Sequence, residues 1–118
     1  MRELEVVKFI KSNKDWVEKL SKAPYCIEIK ADNDYILLKY RLTDNPDFSL
    51  RIVQECRGLI LRKIDFKPVC VPFFKFGNYG ESYVPKIDWE SAIIQEKIDG
   101  SLIKLWYDNN DWHISTNG

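Results

Sequence analysis

The apolar residues of this chain change their spacing at Pro24, and that change calls for a fold that lays helices against a sheet. Before it, Leu4, Val7 and Ile10 recur at helical spacing, and Trp16, Val17 and Leu20 repeat the pattern until the proline stops it. Two short amphipathic helices are expected, the second opened by Ser12 and Asn13, residue types favoured at helix N-caps. From Tyr25 the period falls to about two. Ile27 and Ile29 alternate with Glu28 and Lys30, the Asp32-Asn33-Asp34 cluster turns the chain, and Tyr35 to Arg41 reads as the returning strand of a hairpin. Thr43 to Asp47 is loop. Further strands are expected over Glu55 to Arg62, Val69 to Val71, Ile93 to Lys97, Leu102 to Tyr107 and Trp112 to Thr116, the last two joined by an Asp108-Asn109-Asn110-Asp111 turn. The sum is an α+β fold, a mostly antiparallel sheet with N-terminal helices.

A chain of 118 residues has room for one small domain, and no repeat, low-complexity tract or Pro/Ser linker divides residues 1–118. Its 18 Lys and Arg balance its 18 Asp and Glu, which excludes a uniformly basic nucleic-acid coat and makes any such contact local. The charge is unevenly spread. Residues 50–87 hold seven Lys and Arg against three Asp and Glu, whereas residues 88–118 hold two against six, so the middle of the chain is the part suited to phosphates. Apolar runs are short and the first residues lack a signal-like stretch, so neither a membrane span nor export is expected, and a cytoplasmic location follows. Cys26, Cys56 and Cys70 are odd in number, form no Cys-x-x-Cys and accompany a single histidine. They read as reduced, mostly buried thiols, with no metal-ligand set.

The segment that carries chemistry is Glu96-Lys97-Ile98-Asp99-Gly100-Ser101. It sets an amine and a carboxylate two residues apart on one side of an extended segment, beside a residue without a side chain. A lysine can act as a covalent nucleophile once neighbouring cations, a metal or partial burial favour its neutral amine. Asp99 could orient the amine or its substrate, and Gly100 lets backbone approach a nucleotide closely. The same residues also suit a plain hairpin, since Asp-Gly between alternating apolar runs is a strong turn signal.

Other segments set Lys97 in context: Gln54-Glu55-Cys56-Arg57-Gly58-Leu59-Ile60-Leu61, then Phe73-Phe74-Lys75-Phe76-Gly77-Asn78-Tyr79-Gly80-Glu81, then the lysine motif, and finally Trp112 to Gly118. In that order and spacing, over about residues 53–118, the chain resembles the covalent nucleotidyltransferases, and among them the RNA ligases of the type found in T4-like phages. The resemblance implies the ATP-grasp-like adenylylation domain of DNA and RNA ligases. It implies that Lys97 attacks the α-phosphorus of ATP, expels pyrophosphate and becomes lysyl-AMP. Asp99 and Gly100 would shape the nucleotide pocket, Glu96 would lie near the adenosine, and Arg57 and Lys75 would engage the phosphates. Asn78 and Glu81 belong to the same family segment. ATP and Mg²⁺ are the implied cofactors, and RNA with 5′-phosphate and 3′-hydroxyl ends the implied partner. Arg57 suits bidentate phosphate binding and Lys75 a point charge, and both would stabilise the charge that leaves with pyrophosphate.

The chain departs from the family pattern at Gly77, where relatives are expected to carry a second aromatic, so that contact is absent. The family's later motifs are missing as well: the ribose-binding glutamate, the base-stacking aromatic, the acidic metal ligand and the closing lysines. The chain therefore reads as the front portion of an adenylylation domain, stopping at Ser115-Thr116-Asn117-Gly118 where more is expected to follow. Such a fragment is expected to ligate nothing by itself, to self-adenylylate poorly or not at all, and to self-associate through unpaired strand edges. Three other readings compete with this one. A binding module would use the basic middle stretch, with Tyr79, Tyr83, Trp89, Trp106 and Trp112, to hold single-stranded RNA without chemistry. A DNA ligase or mRNA-capping guanylyltransferase would share the Lys-x-Asp-Gly core. A nucleophile pair of His113 with Ser101 or Cys56 lacks any accompanying signature.

Overall fold

A computed structural model describes residues 2–117. Helix α1 (Glu5–Ser12) buries Val7 and Ile10 of the expected stripe and Val6 besides, with Leu4 buried as its N-cap residue. Its end is closed by Asn13, whose side-chain amide donates to the Phe9 carbonyl at 2.8 Å. Ser12 and Asn13 thus finish the first helix and do not open the second. Helix α2 (Trp16–Ser21) follows Asp15, which makes no side-chain cap bond, and buries only Leu20. The start of α1 is capped from far along the chain. Glu55, 2% exposed, accepts the Glu5 amide at 3.1 Å and the Val6 amide at 2.9 Å, placing a carboxylate on the positive end of the helix. Glu55 is the last residue of a short helix, α3 (Arg51–Glu55), so the strand expected from Glu55 begins instead at Arg57.

Strands β1 (Ile27–Ala31), β2 (Tyr35–Tyr40), β3 (Arg57–Arg62) and β4 (Pro68–Cys70) pair antiparallel in chain order. The β1–β2 turn is held by Asp32, whose Oδ1 accepts the Tyr35 and Asp34 amides at 2.7 and 2.8 Å, which lowers its pKa. One face of the sheet, with Ile27, Leu38, Leu59 and Leu61, packs on Val6, Val7, Ile10 and Leu20 of the helices. The other face, with Ile60 and Cys70, packs on Trp106. β3 is covered on both sides, which is why Leu59-Ile60-Leu61 is apolar without alternation. The architecture is α+β: helices, then the antiparallel sheet, then a second antiparallel hairpin.

That hairpin is β5 (Lys104–Asp108) and β6 (Asp111–Ser115), turned through Asn109 and Asn110 at φ of 51° and 60°, as its Asn-Asn sequence favours. Its parity is inverted. Lys104, Trp106 and Asp108 face inward while Leu105, Tyr107, Trp112 and Ile114 face solvent. Polar groups fasten it. Arg62 forms a forked ion pair with Asp108, and the Tyr35 hydroxyl donates to the same carboxylate at 2.9 Å. The Arg62 guanidinium, then the Tyr35 hydroxyl, hold Asp108 below the ordinary carboxylate range against the opposing effect of burial. The strand expected over Ile93 to Lys97 does not form. Among the described residues no strand pairs with it, and every residue from 91 to 103 is exposed. All three cysteines are buried free thiols, and among the described residues no helix is long and apolar enough to cross a membrane.

Candidate active site

The position of Arg57 follows from a glycine. Leu38 pairs with Leu59 and Lys39 with Arg57, so Gly58 is an extra residue bulged out of the β2–β3 ladder, at a φ of 86° that suits glycine alone. Its carbonyl accepts the Lys104 amine at 2.7 Å, and a side chain at this position would run into that amine and into Asn117. The bulge ties β3 to β5 and turns Arg57 toward a cavity of about 450 Å³ between sheet and hairpin. Lys39, Tyr40, Cys56 and Arg57 line it from the sheet; Gly100, Ser101 and Leu102 line it from the segment before β5, and Thr116 and Asn117 from the end of β6. Cys56 is wholly buried, which pushes its thiol pKa far up. Burial also lowers the pKa of Lys104, which is 8% exposed.

Of the six residues singled out in the sequence, Arg57 and Gly100 meet in this cavity. Lys97 does not line it. Its amine lies 3.2 Å from Asp99 Oδ1, and the two side chains are 79% and 97% exposed. Glu96 is exposed on the same segment. Lys75 lines a neighbouring cavity of about 790 Å³. The Lys75 amide donates to the Gln54 carbonyl at 2.8 Å, fixing this segment to the end of α3. Its amine donates to the Phe76 carbonyl at 2.8 Å and stands 5.2 Å from the Phe48 ring centre. A contact links the linings of the two cavities: the Arg57 guanidinium of the first lies over the Phe76 ring of the second, 4.8 Å from its centre.

Asn78 and Glu81 bond each other, the Asn78 amide donating to Glu81 at 2.9 Å. The Tyr83 hydroxyl, ahead of Asn78, lowers the Glu81 pKa. Gly77 has an unexpected neighbour. A Cβ there would lie 2.7 Å from the Tyr83 hydroxyl, so the Tyr83 ring fills space that a side chain at position 77 would claim. His113 is stacked on Trp106, ring centres 4.2 Å apart, with Nε2 3.2 Å from the Asp108 carbonyl. It does not line the cavity that Ser101 and Cys56 share, which leaves the nucleophile pair without geometry.

Lys39, Lys104 and Asn117 were missed from sequence. The only sequence signal for Lys104 was a lysine set between two apolar residues, Ile103 and Leu105, whose alternation gives it the outward face. Among the described residues no group of three or more His, Cys, Asp or Glu is placed to hold a metal ion.

No family model and no solved structure matches the chain. It is 37% identical over 101 residues to a protein of Autographa californica nuclear polyhedrosis virus named as a bifunctional polynucleotide kinase/RNA ligase, a match covering 74% of this chain and 14% of that protein. It is 32% identical over 116 residues to an RNA ligase of Rhodothermus phage RM378, covering 78% of this chain and 26% of the ligase. It is 27% identical over 107 residues to RNA ligase 1 of bacteriophage TS2126, covering 83% and 27%. The chain spans no more than about a quarter of these relatives, and all three support an RNA ligase relationship.

Proposed function

We propose, from this kinship with viral and phage RNA ligases, that the chain is the nucleotide-activating part of an ATP-dependent RNA ligase on an ATP-grasp-like nucleotidyltransferase fold. The observation that carries the reading is the cavity in which Arg57 of the sheet faces Gly100 of the lysine motif. About 450 Å³ suits a mononucleotide. Arg57 and Lys39 supply positive charge, and the buried Asn117 Oδ1, which has no hydrogen-bond partner among the described residues, offers an acceptor to a donor such as a purine amino group. Mg²⁺, if brought in with the phosphates of ATP, would neutralise charge on the leaving group.

In this reading the Lys97 amine, having lost its proton, bonds to the α-phosphorus as the bond to pyrophosphate breaks. AMP then passes to a 5′-phosphorylated RNA end, and a 3′-hydroxyl displaces it to seal the strand. Arg57 and Lys75 stabilise the charge that develops on the β- and γ-phosphates, Glu96 lies toward the adenosine, and Asp99 orients the amine. The reading requires the exposed 93–99 segment to fold over the cavity and carry Lys97 to its mouth.

The test mixes the protein with Mg²⁺ and α-labelled ATP or GTP and follows acid-labile, protein-bound label. In the full-length protein, label from ATP that disappears in Lys97→Ala is expected, whereas the chain by itself should take little label or none. Equal labelling of that variant would remove Lys97 from its role, and label from GTP alone would favour a capping-type guanylyltransferase.

A further inference from the structure

We propose that Lys104 is a positioning residue: by holding the carbonyl of Gly58 it fixes the bulge that delivers Arg57 to the nucleotide cavity. The proposal rests on the nucleotide reading only for what Arg57 binds there. In an unbroken strand, residues 57, 59 and 61 would share one face and residues 56, 58 and 60 the other. Leu59 and Leu61 pack with the helices, so Arg57 would follow them into that core. The opposite is observed. Cys56 packs in the same core as Leu59, while Arg57 pairs with Lys39 and lines the cavity between sheet and hairpin. One extra residue reverses the parity, because a single-residue slip sends the side chains beyond it to the other face. That residue is Gly58.

A bulged residue drops out of the ladder, so its buried carbonyl needs a donor from elsewhere. Lys104 supplies one from the hairpin. Its amine donates to the Gly58 carbonyl at 2.7 Å from a side chain that strand β5 turns inward, and a side chain on Gly58 would collide with that amine. The other buried charged residues are better matched: Glu55 accepts two backbone amides and Asp108 faces Arg62. Lys104 meets a carbonyl dipole, and among the described residues no carboxylate pairs with it or with Arg57. A buried cation so thinly compensated costs stability, and its effect here is geometric. Burial, and with it the charge of Arg57, lowers the Lys104 pKa, which marks the two cations as close neighbours. The amine therefore pins the bulge and, as a like charge, keeps Arg57 turned away from itself, where the guanidinium rests on the Phe76 ring.

The test pairs a spectroscopic reading of Arg57 with a double-mutant cycle. In the chain itself, the Arg57 Nε–H resonance, assigned by its absence in Arg57→Ala, should be displaced by the ring current of Phe76, whose centre lies 4.8 Å from the guanidinium. Lys104→Met removes the amine while filling its space, and should move that resonance toward the position of an exposed arginine. In the full-length protein, Lys104→Met should slow labelling by ATP about ten-fold, yet by less than about two-fold when Arg57 is already alanine. A merely structural lysine would leave the two losses multiplicative. If Lys104→Met fails to fold, as circular dichroism would show, Lys104→Gln decides, since its side chain stays polar but stops short of Gly58. An unmoved Arg57 resonance in a folded variant, or multiplicative losses in the cycle, would overturn the proposal; with labelling of the parent intact, the nucleotide reading would survive that result. A displaced resonance that Lys104→Met releases, in a protein that takes no label from ATP, would uphold the positioning role and sink the nucleotide chemistry.

Discussion

Removing the Glu55 carboxylate tests whether a long-range cap holds the N-terminal helix. Its two oxygens accept the Glu5 and Val6 amides at 3.1 and 2.9 Å from a site 2% exposed. Hydrogen bonds to a charged group contribute about 1.5–3 kcal/mol each, and losing a helix cap costs about 1–2 kcal/mol. Water reaching the half-buried Glu5 amide offsets part of the loss, so Glu55→Ala should destabilise the chain by about 3 kcal/mol. Glu55→Gln retains an acceptor for one amide and should cost about 1–1.5 kcal/mol. Urea unfolding followed by tryptophan fluorescence reads this directly. At a slope of about 1.5 kcal/mol per molar, the alanine variant's midpoint should fall by about 2 M. A fall of less than about 0.3 M would refute the cap as a stabilising contact.

Two further outcomes follow from the same geometry. Gly58→Ala places a Cβ against the Lys104 amine at a φ of 86°, so the thermal midpoint should drop by about 5–10 °C and ATP labelling should fall with it; a melt within about 2 °C of the parent would contradict the bulge. Asp108 has a folded pKa held below its ordinary value by Arg62 and Tyr35, so its contribution is present above the unfolded carboxylate pKa and is lost as pH falls through the folded one. Stability should therefore decline below about pH 4, and less steeply in Asp108→Asn; parallel acid limbs in the two proteins would count against that.

The elements that residue patterns revealed are those whose burial follows their own period. The apolar stripe of α1, the existence of α2, the β1–β2 hairpin with its Asp32 turn, and the Asn109-Asn110 turn were all legible, but of the α2 stripe only Leu20 is buried and Val17 is exposed. Helix α3 was not, because five residues carry no period and Glu55 owes its place to amides fifty residues away. The inward face of β5 was not legible either. Lys104 and Asp108 are inside because Gly58 and Arg62 await them, and strand alternation alone would have sent Leu105 and Tyr107 inward. Arg57 and Gly100 were picked out by their motifs, but their shared cavity depends on the Gly58 bulge, which only the β2–β3 register exposes.

The hairpin meets the sheet through the Ile60, Cys70 and Trp106 cluster and through ions, whereas the helices meet it through the larger core. Two cooperative units of unequal strength result, and backbone amides of β5 and β6 should exchange with deuterium through partial openings that leave β2 and β3 protected. The nucleotide cavity lies along the seam between them, with Arg57 on one bank and Asn117 on the other. A ligand that touches both banks acts as a rivet, so its occupancy can be read as slowed exchange in a hairpin it need not contact along most of its length.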